Sequence, residues 1–265
     1  MAGRPAVVHY YPPDHRSLPV TLTRSRFGVL TPSSNTALEP LTSAMVAKVP
    51  GVSAHFSRFT VTEIALSARA LGQFDDSHVL AAARLLADAR VDVIGWSGTS
   101  AGWLGFDHDV TLCQRITEET GIRATTSMLA LNEILAEFGL REFGLVTPYT
   151  DDVQQRILDN YRGEGFAVVA EDHLGISENF AYAEVTPETL TAQVRRVAQG
   201  GAPAIVVACT NLCSACLVPE WEAELGVPVL DTTATVVWKM LRMTGHGDVP
   251  VSGWGQLMEG MMAHG

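Results

Sequence analysis

The sequence predicts an α/β fold made of two similar Rossmann-like lobes, with parallel sheets related by a pseudo-twofold duplication and a cleft between them. Three matched segments predict the duplication. Residues 26–32 (Arg-Phe-Gly-Val-Leu-Thr-Pro) recur as residues 142–148 (Glu-Phe-Gly-Leu-Val-Thr-Pro). Residues 93–99 overlay residues 204–210, an apolar run ending in small polar residues in both copies, and residues 121–128 read like residues 226–233. Solenoid repeats span only about 20 to 50 residues, so a copy this long is a whole lobe. The repeat sets the fold and leaves the chemistry open.

Apolar runs bounded by turn residues place strands near 26–31, 52–59, 91–96, 142–147, 166–171, 203–208 and 227–230. Helical stretches with capping residues run between them at 35–48, 77–89, 150–161 and 186–199, the last with Pro187 just inside its start. Strand alternating with helix means parallel sheets with right-handed crossovers. The expected division is an N-terminal extension over 1–25, a first lobe over 26–140 and a second over 141–265, with the last helix a candidate to pack back on the first lobe.

A chain of 265 residues with 47% hydrophobic content builds its own core. A net charge of −11 argues against nucleic-acid and anionic-membrane partners, which need clustered Lys and Arg. No stretch of about 18 apolar residues reads as a membrane span, and Arg4, His9, Pro12, Pro13 and Asp14 interrupt the start where a signal sequence needs an apolar run. The expectation is a cytoplasmic protein whose four cysteines are thiols.

Sites in open α/β sheets lie beyond the carboxyl ends of the strands. There stand residues 31–35, 98–100, 147–149 and 209–211. Ser33, Ser34 and Asn35 follow a strand and open a helix; they either cap that helix or offer donors to a carboxylate. Gly98, Thr99 and Ser100 sit in a small-residue loop flanked by Trp96 and Trp103, which lets backbone approach a ligand along an apolar wall. Cys209 stands at a strand-to-helix junction, whereas Cys113 falls mid-helix. Cys209, Cys213 and Cys216 have the C-x3-C-x2-C spacing of an iron–sulfur site. The 49 residues that follow are too few for the barrel such a site precedes, and Cys213 and Cys216 fit a helix as small buried side chains. The eight histidines show no metal-ligand spacing. Neither a metal nor a cofactor is expected.

Together, Gly28-x3-Pro32-Ser33-Ser34-Asn35, Thr99-Ser100, Thr147-Pro148-Tyr149, Ile176-x2-Asn179 and Val207-Ala208-Cys209-Thr210 resemble the Asp/Glu racemase superfamily, on the branch of maleate cis-trans isomerases and arylmalonate decarboxylases. The resemblance covers residues 26–243. It implies a site between the lobes, a small carboxylate substrate and a homo-oligomer. It makes Cys209 the catalytic thiol, sets Asn35, Tyr149 and Asn179 on a substrate carboxylate, and arranges Thr99, Ser100 and the Thr210 amide around a developing enediolate, with Ser33, Ser34, Gly98 and Asn211 in the same shell. Racemases and maleate isomerases of this superfamily carry a second cysteine in the first half. Here that position is Gly98, the arrangement of arylmalonate decarboxylases.

A single thiol has a chemical meaning of its own. Inverting a carbon acid with two bases needs groups on both faces of the carbon. Loss of CO2 from an activated malonate needs no base, and the resulting enediolate is stabilised by hydrogen bonds and protonated from one side. The sequence therefore reads as a cofactor-independent, cysteine-dependent decarboxylase. A maleate-type isomerase or a racemase using Cys209 with another group stands as the alternative, since a thiol also adds to alkenes. A non-catalytic dicarboxylate-binding protein is the third reading.

Overall fold

A computed structural model describes residues 24–262. Most of the extension expected over 1–25 lies outside that range. The first lobe runs β1 (Ser25–Pro32), α1 (Leu38–Val46), β2 (Val52–Phe59), α2 (Ala68–Leu71), α3 (Asp76–Asp88), β3 (Val93–Trp96), α4 (Ala101–Leu104), α5 (Phe106–Thr120), β4 (Ala124–Thr126) and α6 (Ser127–Glu137). The second runs β5 (Glu142–Thr147), α7 (Asp151–Gly163), β6 (Ala167–His173), α8 (Pro187–Ala198), β7 (Ile205–Val207), α9 (Val218–Leu225), β8 (Val229–Asp231), α10 (Thr232–Met243) and α11 (Gln256–Glu259).

Each lobe holds a four-stranded parallel sheet, in the orders β2-β1-β3-β4 and β6-β5-β7-β8. The two orders are one topology used twice, as the repeated segments require. The central strands are buried on both faces and read as continuous apolar runs, Phe27, Val29 and Leu30 in β1 and Phe143, Leu145 and Val146 in β5 being fully inaccessible. The strand of residues 124–126 was absent from the sequence reading because its Ala-Thr-Thr lacks the apolar run that marks the equally short β7 and β8. The helix α6 was not among the stretches named from the sequence, although its cap lies within a matched segment; α5 contains Cys113, placed mid-helix above without bounds, and α10 likewise had no bounds.

The lobes are not independent. Helix α10 follows the last strand of the second lobe yet packs against β3, β4, α1 and α6 of the first. Gly95 of β3 makes that approach close, because a Cβ there would meet Met240 Sδ at 2.7 Å and Val236 Cγ2 at 2.9 Å. Thr235 Oγ1 donates to the Ser127 carbonyl at 2.9 Å, and Lys239 and Arg242 pair with Glu133 and Glu137 of α6. These links hold the carboxyl ends of the two sheets toward one another.

Candidate active site

Cys209 follows β7, buried at 3% exposure, and begins a turn rather than the helix expected from the sequence. Residues 210–214 form turns, a short 3-10 helix covers Ala215–Leu217 and α9 starts only at Val218. Cys213 and Cys216 are thus not helical partners. Cys213 is half-buried with Sγ 3.9 Å from the Ala183 carbonyl, and Cys216 is exposed. Among the described residues no three His, Cys, Asp or Glu side chains gather as a metal group.

Cys209 and Gly98 line one narrow cavity, each brought there by the third strand of its own sheet. Its polar side carries Thr99, Ser100, Tyr149, Asn179, Cys209 and Thr210. Its apolar side carries Val61, Ile64, Phe74, Trp96 and Trp103. The cavity volume is about 20 Å³, room for one water molecule. A larger hollow of about 340 Å³ lies between α10 and the C-terminal segment, but among the described residues its titratable lining is Asp248 and Glu259, with no nucleophile.

The polar side is organised around Tyr149. Its hydroxyl shares a 2.6 Å hydrogen bond with Thr99 Oγ1, and its ring meets Trp103 and Tyr182 edge-on at centroid distances of 5.2 and 5.6 Å. Burial pushes the phenol well above its ordinary pKa, so it remains a donor. Burial also pushes the Cys209 thiol up to about 12, opposed by the Asn211 amide, the Tyr149 hydroxyl and the Leu212 amide and reinforced by the Asp231 charge. The resting group is a thiol beside groups prepared to receive negative charge.

Ser34, Asn35 and Asn211 stand behind this wall and, with Asn179 of the wall itself, join the lobes. Asn35 Oδ1 accepts from the amides of Ala37 and Leu38, capping α1, while Asn35 Nδ2 donates to Thr210 Oγ1 at 3.4 Å. Asn211 Oδ1 accepts from the amides of Thr36 and Ala37 across the lobes, and Asn211 Nδ2 donates to the Asn179 carbonyl. Asn179 Nδ2 donates to Ser34 Oγ at 2.7 Å, and Ser33 and Ser34 Oγ both bond to the Val61 carbonyl. Capping is therefore the observed use of Asn35. Thr210 Oγ1 donates to the Ser97 carbonyl at 3.1 Å, which leaves its backbone amide as the group to offer a ligand.

The apolar side was not legible in the sequence except for the two tryptophans. Val61, Ile64 and Phe74 belong to a strap between β2 and α3 that contains α2 and to which no element was assigned from the sequence. The strap is laid against the second lobe by two backbone bonds, Ile64 N–H to the Ser177 carbonyl at 2.8 Å and Asn179 N–H to the Thr62 carbonyl at 3.0 Å. Trp96 Nε1 donates to Ser100 Oγ at 3.4 Å, and Trp103 Nε1 is buried with no partner among the described residues.

The model of the family described as arylmalonate decarboxylase matches residues 38–258, from the first turn of α1 to α11. The chain belongs to the arylmalonate decarboxylase family. It is similar to the arylmalonate decarboxylase of Bordetella bronchiseptica, 29% identical over 67% of this chain and 75% of that one. It is also similar to the maleate isomerase of Alcaligenes faecalis, 28% identical over 83% of this chain and 91% of that one. Among solved structures, a cysteine-to-alanine variant of the maleate isomerase from Pseudomonas putida S16 with maleate superposes with a TM-score of 0.82 at 27% identity, covering 90% of this chain and 98% of that one. The arylmalonate decarboxylase family is thus one of enzymes, and this chain shares its two-sheet α/β architecture along nearly its whole described length.

Proposed function

We propose that the protein is a cofactor-independent decarboxylase of substituted malonates, with Cys209 as the proton donor. The observation that carries this reading is the one-sidedness of the cavity, which has a thiol at Cys209 and, at the matching position of the other lobe, Gly98. The similarity to an arylmalonate decarboxylase supports the substrate class.

In the proposed reaction the bond from the α-carbon to one carboxylate breaks and CO2 leaves. Its electron pair stays on the carbon and spreads into the remaining carboxylate as an enediolate. The Ser100 hydroxyl, the Thr210 amide and the one proton left free in the Tyr149–Thr99 pair receive that charge, each bond to a charged oxygen contributing about 1.5 to 3 kcal/mol. Ser100 accepts from Trp96, so its own proton remains to donate. The Cys209 S–H bond then breaks as the new C–H bond forms, and the thiolate regains a proton from water. A thiol pushed up to about 12 suits a donor that must be protonated before each turnover. The same reading includes a homo-oligomer in the cytoplasm.

Similarity to maleate isomerases favours a second reading, in which Cys209 adds to an alkene. That chemistry starts from a thiolate, the form that burial of Cys209 disfavours. Substituted malonates, maleate and chiral amino acids offered to the native protein and to Cys209→Ala separate the readings. Decarboxylation is expected in the native protein only, with Cys213→Ala and Cys216→Ala keeping most of it. Conversion of maleate to fumarate with untouched malonates makes the protein an isomerase, and ligand binding without any product makes it a binding protein.

A further inference from the structure

Gly98 is more than the place where a second cysteine is missing. An added Cβ there would lie closer than 3.0 Å to the Trp96 ring atoms Cζ2, Cε2 and Cη2. That approach is tighter than carbon atoms tolerate, so the indole already occupies the space a side chain at Gly98 would take. Trp96 cannot yield cheaply. It is buried at 2% exposure, its ring packs on Phe59 at 5.0 Å, and its Nε1 bonds to Ser100. On the other strand face, Gly95 admits α10, so β3 is pressed from behind while its last residue fills the cavity.

We propose that Trp96 is the specificity-determining residue of the site, closing the Gly98 side so that substrate is approached by an acid from the Cys209 side alone and only small groups lie on the Gly98 side. The inference rests on the decarboxylase reading for its substrate, but not for its steric content. Restoring a thiol by Gly98→Cys alone overpacks the cavity. Removing the indole creates the room first and lets the new thiol fill it.

The test is a double-mutant cycle of Trp96→Leu and Gly98→Cys in the full chain, read by thermal unfolding and by product analysis. Overpacking of a buried site costs about 1 to 3 kcal/mol, so Gly98→Cys is expected to lower the melting temperature by about 5 °C. In the Trp96→Leu background the same change is expected to cost less than half as much. Equal losses in both backgrounds would overturn the steric claim, whatever the protein catalyses. The catalytic arm uses phenylmalonates whose second α-substituent, the one left to the Gly98 side, grows from hydrogen to methyl to propyl. Trp96→Leu is expected to raise kcat/KM for the largest relative to the smallest by at least about tenfold, the scale set by a few methylenes in a pocket. An unchanged ratio in a folded variant would overturn the specificity claim. Turnover of no malonate by the native protein, with the stability cycle coupled as expected, would sink the decarboxylase reading and with it the specificity claim, leaving Trp96 a steric plug.

Discussion

Cys209 is the one buried cysteine of the four, and its neighbours set it further apart from the other thiols. Burial pushes Cys113 up to about 12 as well, yet Cys113 faces Asp109 inside the first lobe, with no array of donors beside it. Cys209 has the Tyr149 hydroxyl and two backbone amides within reach. The shell makes different demands of its members. Tyr149→Phe removes a hydroxyl that faces the cavity and should cost about 1.5 to 3 kcal/mol in kcat/KM, roughly ten- to 150-fold, with the fold intact. Asn35→Ala removes a cap and a lobe-to-lobe bond, so it should lower unfolding free energy by about 1 to 2 kcal/mol. Steady-state kinetics beside urea unfolding checks both. An Asn35 variant of native stability with lost activity would return that residue to the substrate. The sequence showed Cys209, Tyr149 and the Gly98 loop because strand ends are punctuated by small polar residues. It left capping and binding open for Asn35 because one amide serves either role.

At the scale of elements, the junction of β8 with α10 carries the clearest electrostatic signature. Asp231 Oδ1 accepts from the amides of Thr233 and Ala234, and Asp231 Oδ2 accepts from Ser214 Oγ. Burial outweighs these bonds and raises its pKa from 3.8 to about 6. A carboxyl whose folded pKa is raised contributes stability that is full below the unfolded value near 3.8 and is lost as pH rises through about 6. Asn at this position keeps the cap without the charge. Asp231→Asn should therefore gain stability relative to the native chain between pH 4 and pH 7.5, by up to about 3 kcal/mol. Urea midpoints of both proteins at the two pH values decide this, and a difference independent of pH would mean that Asp231 is not strained by burial. The strand-and-helix register was readable wherever runs were long and alternating. Strand β4 is Ala-Thr-Thr and lacks the apolar run that marks the equally short β7 and β8, and α10 packs on the first lobe's sheet, the place for which the last helix was a candidate.

For the whole molecule, duplication supplies the architecture and divergence supplies the chemistry. Two sheets of one topology turn their strand ends to a shared cavity, and the copies then differ where it matters, thiol against glycine at Cys209 and Gly98 and phenol against serine at Tyr149 and Ser33. The repeat made the cleft legible in sequence because both lobes use the same strand end. The strap that lines the cavity's apolar side was not legible, since its position depends on backbone bonds to the other lobe. No described helix is long and apolar enough to cross a membrane.

The central claim is one acid acting on one face, and it is tested most directly by running the reaction of a prochiral disubstituted malonate in D2O. The account predicts a product carrying one deuterium at the α-carbon, in a single enantiomer, with no further exchange when either enantiomer of the product is returned to the enzyme. A racemic product, or α-proton exchange in both enantiomers, would show a second acid–base group on the Gly98 side and contradict it.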